Sequence, residues 1–219
     1  MKIARAVGAW ALPLLSLTIA RGQTGIPLAD IKAADSTIVV ELRYAGTRNI
    51  AGHALYPRDM RAMIRPELIP RLKAAQKFLR QFDYRLKIWD AYRPPAAQRE
   101  LWKNIQNDNY VADPDLGAGS LHSWGVAVDC TLTDLHNREV RMPTDFDDFT
   151  PAAMSQYAGR DKLIQSHLHL LRVAMAASGF YAFHHEWWHF TVKNWSKYLP
   201  PDEAEKVAKI FGSPSKEDL

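Results

Sequence analysis

The sequence predicts an α+β fold, a small and mainly antiparallel sheet with flanking helices. Three observations predict it. Strand-like and helix-like segments interleave along the chain. The strands are short and their connections irregular, unlike regular βαβ repeats. The helical segments carry apolar residues at helical spacing, so each must cover one face against a sheet or another helix. The chain has 219 residues, 47% of them apolar and 24% charged, which fits one globular domain with its own core.

Residues 1–22 are set apart first. Lys2 and Arg5 make a basic start, and no charge follows from Ala6 to Ala20. That run is short for a membrane span, which needs about 20 apolar residues. It fits the apolar region of an export signal, and Ala20-Arg21-Gly22 offers small residues at a cleavage site. The expectation is a signal peptide over 1–22 and a single domain over 23–219, periplasmic or secreted. Three of the basic residues, Lys2, Arg5 and Arg21, lie in this segment, so the net charge of +4 belongs mostly to it. The rest is nearly neutral and has no Lys/Arg-rich run, which argues against a nucleic-acid partner. Once the signal is removed, no membrane partner is expected; the oligomeric state is not readable. The one cysteine, Cys130, excludes a disulfide framework and reads as a small buried hydrophobe.

The elements follow in order. Thr37 to Tyr44 is β-branched and reads as a strand, and residues 45–65, with Gly46, Asn49, Gly52 and Pro57, as a long ordered loop. Pro66 opens a helix with Leu68, Leu72, Ala75, Leu79 and Phe82 on its inner face. Arg85 to Asp90 alternates as a strand does. Pro94-Pro95 starts a second helix with Leu101 and Ile105 inward. Asn107 to Ser120 is loop; Gly125 to Leu132 is a strand with small residues on one face. Residues 133–160 are polar and turn-prone. Asp161 to Ser178 is a helix with Leu163, His167, Leu170, Leu171 and Ala174 on one side and Gly179 as its stop. Phe180 to Val192 is aromatic and strand-like, and Asp202 to Phe211 is a terminal helix opened by Pro201.

Two segments offer chemistry: Ser120-Leu-His122-Ser-Trp-Gly-Val-Ala-Val-Asp129 and His184-His-Glu186-Trp-Trp-His189. His122, Asp129 and His189 are potential ligands for a divalent metal, with Glu186 as a free carboxylate nearby. A catalytic zinc site uses three protein ligands and keeps a fourth position open for water. Such a metal lowers the pKa of bound water toward about 7, and the carboxylate can take the proton. Gly125, Ala127 and Asp129 share one face by strand alternation. Glu186 and His189 are an odd number apart, so both can serve one site only if a bulge or bend lies near Trp187. On residue types alone, the trio is as consistent with satisfied core residues as with a metal site. His53, His136, His167 and His169 read as ordinary core or surface histidines, while His184 and His185 stay open between surface and support of a ligand.

These residues carry a resemblance. The pattern S-x-H-x-x-G-x-A-x-D, followed some 55 residues later by E-x-x-H, resembles the zinc-binding signature of peptidase family M15 and its hedgehog-like relatives. Glu186-Trp-Trp-His189 is similar to the D-alanyl-D-alanine dipeptidase branch. Leu42-Arg-Tyr44-Ala, Asn49-Ile-Ala-Gly52, Trp89-Asp-Ala-Tyr-Arg93-Pro and Phe146-Asp147 agree with it, and the likeness runs from about Val40 to Val192. It implies a hedgehog/DD-peptidase-like fold and a zinc D,D-dipeptidase that splits D-Ala-D-Ala. It implies one Zn2+ on His122, Asp129 and His189, with Glu186 as general base and Arg93 on the oxyanion. It further implies Ser120 on the substrate carboxylate, and Tyr44 and Asp147 on its amino group. Arg93 to His122 is shorter than in the branch's resistance enzymes, which would open the cleft. That keeps a D,D- or L,D-carboxypeptidase of the same family as an alternative, and a non-catalytic zinc-binding module as a more distant one.

Overall fold

In a computed structural model of the chain, the described residues are 19–21, 25–116 and 119–200. The chain begins with β1 (Ile19–Arg21), β2 (Pro27–Asp30), a one-turn α1 (Ile31–Ala34) and β3 (Val39–Val40). After a long loop come β4 (Met63–Ile64), α2 (Ile69–Leu79), β5 (Arg85–Asp90) and α3 (Pro95–Ile105). Then follow β6 (Ala127–Thr133), α4 (Lys162–Ala177), β7 (Phe180–Ala182) and β8 (His189–Val192). The main sheet has the order β3-β5-β6-β8-β7, and only β3 and β5 run parallel. A second, three-stranded sheet is antiparallel, in the order β1-β2-β4. The α+β class is therefore as the sequence predicts, with a second sheet added. β1 falls inside the expected signal segment, and the expected helix at 202–211 lies outside the described residues.

The main sheet is two-faced, and this places the site. Along β6, Val128, Cys130 and Leu132 alternate with Ala127, Asp129, Thr131 and Thr133, all of them buried. Phe190 of β8 registers with Val128 of the apolar set, and His189 and Thr191 with Asp129 and Ala127 of the other. α2 and α4 pack on each other and on β5, β6 and β7. Leu68, Leu72, Ala75 and Leu79 supply the buried stripe of the first helical segment. The polar face holds the candidate site.

Several expectations shift. The strand at 37–44 shrinks to β3, because Arg43–Ala45 winds into a 3-10 turn that buries Arg43 and Tyr44. Phe82 is half exposed: helical winding ends there, the chain turns left-handed at Asp83, and the ring lies on Phe78 instead. Gly125 is not strand but the left-handed end of a turn, φ +66°. In α4 the buried stripe is Ile164, His167, Leu168, Leu171, Ala174 and Met175, with Leu163 exposed. This helix is apolar over so much of its circumference that leucine spacing alone cannot choose between overlapping stripes. Asp161 caps it, accepting from the Leu163 and Ile164 N–H groups, and Gly179 follows at φ +83°. Phe180 to Val192 is a hairpin of two short strands rather than one.

Candidate active site

The local chain path explains how His122 and Asp129 meet. Ser120 accepts from the His122 N–H and opens a 3-10 turn over Leu121–Trp124. Gly125 ends that turn by donating to the His122 carbonyl at 3.0 Å. Only a residue tolerant of positive φ suits this position, and a Cβ there would stand 2.9 Å from Leu28 Cδ2. The reversal sets His122 beside the strand that carries Asp129. Asp129 registers with His189 across β6 and β8 and with Asp90 across β5.

Three donor atoms converge. His122 Nε2 lies 3.1 Å from His189 Nδ1 and 3.4 Å from Asp129 Oδ1, and His189 Nδ1 lies 3.0 Å from that same oxygen. Ligands at 2.0–2.1 Å around a tetrahedral ion are separated by about 3.3 Å, so the spacing fits such an ion. The far nitrogens are occupied: His122 Nδ1 lies 2.7 Å from the Ala91 carbonyl and His189 Nε2 lies 3.0 Å from Thr191 Oγ1. If each far nitrogen carries the proton, Nε2 of His122 and Nδ1 of His189 present lone pairs to the shared centre.

The charge balance asks for a cation. Asp90, Asp129, Asp147 and Glu186 are all buried here, and Arg93 is the buried guanidinium among them. Burying carboxylates without counter-charge is expensive. Burial, with Asp129 and Asp147 adding, pushes the Glu186 carboxyl well above the usual range, against the pull of Arg93. Burial also lifts Asp147 to about 7, although the Ile50 N–H and Arg93 work the other way. Asp129 resists its burial because the two imidazoles hold it low.

Arg93 is fixed from three sides. Its Nε and Nη2 donate to Asp90 Oδ2 at 2.9 and 2.8 Å, its Nη1 donates to Gln98 Oε1 at 2.8 Å, and Nη2 approaches Asp129 Oδ2 at 3.6 Å. Tyr56 donates to the other Asp90 oxygen at 2.7 Å. The guanidinium lies over the Tyr44 ring at 4.8 Å, and Tyr44 donates to Asp147 Oδ1 at 3.2 Å. Asp147 sits at φ +58°, a conformation that Asp tolerates better than most residues, and its second oxygen accepts from the Ile50 N–H. Glu186 precedes β8, and a turn returns the His189 N–H to the Glu186 carbonyl. The bend required near Trp187 is thus supplied by the hairpin connection. Glu186 Oε2 comes to 3.9 Å from His189 Nδ1. The structure therefore gathers His122, Asp129, His189, Glu186, Arg93, Ser120, Tyr44 and Asp147 about one centre.

Comparison with known proteins shows the family. The M15 peptidase profile, described as D-Ala-D-Ala dipeptidase, matches residues 26–206. The chain belongs to the M15 peptidases. Among its M15 relatives is a D-alanyl-D-alanine dipeptidase of Escherichia coli, 32% identical over 78% of this chain and 87% of that protein. A D-alanyl-D-alanine dipeptidase of Enterococcus faecalis is 25% identical over 68% of this chain and 83% of that one. Among solved structures, a vancomycin-resistance D,D-pentapeptidase VanY in complex with Zn(II) is 15% identical, with a TM-score of 0.40, over 69% of this chain and 81% of that chain.

Reading the sequence of this M15 chain missed four supporting residues. Asp90 had no role assigned, yet it is the main anchor of Arg93. Thr191 lies two residues beyond His189 on the same strand face, so alternation was signal enough. Tyr56 and Gln98 reach Asp90 and Arg93 from distant elements, and nothing in the sequence points to them. Tyr92, also left without a role, packs with Ile26 and Leu28 in a small apolar cluster. His185 stands edge-on to His184, Tyr110 and Phe183, at the rim. Among the described residues no helix is long and apolar enough to cross a membrane.

Proposed function

We propose that this M15 chain is a zinc D,D-dipeptidase that hydrolyses D-Ala-D-Ala to two D-alanines. The observation that carries the reading is the pairing of two features on either side of Arg93. One is the convergent His122, Asp129 and His189 donor set. The other is the Tyr44–Asp147 pair, a buried carboxylate suited to a free ammonium. Two imidazoles and one carboxylate suit zinc with an open position. When bound, the ion supplies Lewis acidity and a water of lowered pKa.

The chain's own residues do the rest. Glu186, beside the centre with Oε2 3.9 Å from His189 Nδ1, takes the proton from the attacking water and passes it to the leaving amine. Arg93 presents a charge already held in place by Asp90 and Gln98, so little reorganisation is needed as the oxyanion develops. Asp147 and Tyr44 take the substrate ammonium. Ser120 already accepts from the His122 N–H, and its hydroxyl proton is free to donate to the substrate carboxylate.

A series of aromatic rings runs from the rim of the site into the core. Rings run from His189 through Phe183 and His185 to Tyr110, which stacks on Phe149 at 4.7 Å. Phe149 then meets Trp188, and Trp188 meets Phe146 and through it Tyr44. The outer members of this series, Tyr110, Phe183 and His185, are the rings that a chain extending beyond the amino end would meet first. The basic start and apolar run of residues 1–22 support export, so the reading places the work outside the cytoplasm.

The test is hydrolysis by the zinc-loaded chain, offered D-Ala-D-Ala beside a D-Ala-D-Ala-ending pentapeptide, with and without chelator. Release of D-alanine from the dipeptide, lost with chelator, is expected. Preference for the pentapeptide would replace the reading with a carboxypeptidase. Metal binding without hydrolysis of either would leave a binding module.

A further inference from the structure

One loop holds Asp147 by both oxygens. Tyr44 donates to its Oδ1 at 3.2 Å and the Ile50 N–H to its Oδ2 at 3.1 Å. The two donors are placed differently. Tyr44 is set by packing, since its buried ring stands edge-on to Tyr56 and Phe146. Ile50 has no such anchor: it is 42% exposed, and Gly46, Thr47 and Arg48 before it are exposed as well. Apolar burial therefore does not decide where the Ile50 N–H points. The neighbouring pair of Arg48 and Asp145, at 3.3 Å with side chains 58% and 62% exposed, holds the loop only weakly.

Asn49 supplies what packing does not. Its Nδ2 donates to the carbonyls of Arg43 at 3.1 Å, Gly46 at 2.9 Å and His53 at 3.1 Å. Its Oδ1 accepts from the Ala51 N–H at 2.9 Å, and its own carbonyl accepts from the Gly52 N–H at 3.1 Å. One amide thus ties the start, middle and end of the loop together and shapes the turn on which Ile50 sits. The consequence falls on Asp147. Burial lifts that carboxyl to about 7, and the Ile50 N–H is the foremost influence in the other direction. The same bond fixes the plane of the carboxylate, which turns readily about χ2 when only one oxygen is held.

We propose that Asn49 is a positioning residue for recognition of the substrate's amino end, acting through the Ile50 N–H on Asp147. A carboxylate serves an ammonium best when it is ionised and fixed in direction, and one N–H contributes to both. The inference rests on the dipeptidase reading for a single point, that Asp147 takes the ammonium. Among the described residues the Asn49 side chain bonds only the backbone of its own loop. Its loss should therefore be felt in binding of the amino end, and not in metal content or in turnover of bound substrate.

The test uses the full-length, zinc-loaded protein with D-Ala-D-Ala as substrate. Propionyl-D-alanine, the same molecule without its amino group, serves as competitive inhibitor. Asn49→Ala removes the amide; Asn49→Asp keeps its size and the acceptor for Ala51 and removes only the donors. Arg48→Ala is the control for disturbance of the loop as such. Both Asn49 variants should raise KM for the dipeptide roughly tenfold, the scale of a hydrogen bond to a charged group. Their kcat, zinc content and Ki for propionyl-D-alanine should stay at the wild-type values. Amide hydrogen exchange should quicken at Ile50 and stay unchanged at Phe190 and Thr191 of β8, and Arg48→Ala should leave every reading unchanged. An unchanged KM, or unchanged exchange at Ile50, would overturn the proposal. So would KM and Ki rising together, the mark of a general loosening, or an Asn49→Asp variant that matches the wild type. A wild type that binds dipeptide and propionyl-D-alanine alike would overturn the ammonium reading of Asp147, and this inference with it. A wild type that prefers the dipeptide, with Asn49 variants that prefer it equally, would overturn this inference alone.

Discussion

At the scale of single residues, chemistry and support separate cleanly. Glu186 touches the centre without belonging to the three convergent donors, so Glu186→Gln should keep stoichiometric zinc and lose roughly 10²–10⁴ in kcat. Metal content by atomic absorption beside steady-state rates checks this, and normal turnover in the variant would remove the base. Asp147 has the opposite logic. Its folded pKa of about 7 lies above that of an unfolded Asp. Between those values the unfolded chain has released a proton that the native state retains, so the group's contribution to stability falls as pH rises toward 7. Asp147→Asn keeps the left-handed backbone and cannot ionise. Its melting temperature should exceed that of the wild type at pH 8, and the advantage should vanish by pH 4. The same variant should raise KM for the dipeptide by roughly 10–100-fold, the worth of a charged hydrogen bond. A melting difference that is flat with pH would refute buried ionisation of this carboxylate.

At the scale of elements, the turn before β6 matters more than its length suggests. Gly125→Ala meets two obstacles, a positive φ and the 2.9 Å approach to Leu28 Cδ2. The cost should be roughly 1–3 kcal/mol in a denaturant titration, with zinc affinity falling because His122 rides on that turn. Asp161→Ala removes the cap of α4 on the opposite face of the sheet and should cost about 1 kcal/mol with zinc binding unchanged. The contrast tests whether the two faces of the sheet divide labour as described. At the outer end of the ring series, Tyr110→Ala should raise the ratio of pentapeptide to dipeptide hydrolysis, and an unchanged ratio would free the rim of any role in selecting length. Element by element, legibility was uneven. α2, α3, α4 and β5 were readable because proline starts, an Asp cap and apolar spacing are local signals. β3 and the Gly125 turn were misread, since a β-branched run and a strand-like run were each cut short by turns whose stability comes from distant contacts.

At the scale of the whole molecule, four buried carboxylates around one guanidinium make the metal part of the folding balance as well as of the chemistry. Chelation should lower the melting temperature and zinc should restore it, following the mass action of a ligand bound only by the native state. A melting temperature indifferent to chelator would show that the acidic cluster is neutralised by its own protons instead. The sequence by itself determined the α+β class and the principal helices, because residue type and spacing carry that information along the chain, and it offered His122, Asp129 and His189 only as candidate donors. The likeness of its ordered motifs to the M15 family supplied the roles. The tertiary structure alone decided how those residues meet. His122 and His189 are 67 positions apart and yet lie 3.1 Å apart across the centre. Asp90, Tyr56 and Gln98 brace Arg93 from separate elements, and the helix-facing and site-facing sides of the sheet are assigned by registers that no local pattern fixes. Burial is what turns these pairings into chemistry: it raises the proton affinity of Glu186 and Asp147, and it exists only once distant segments have closed over them.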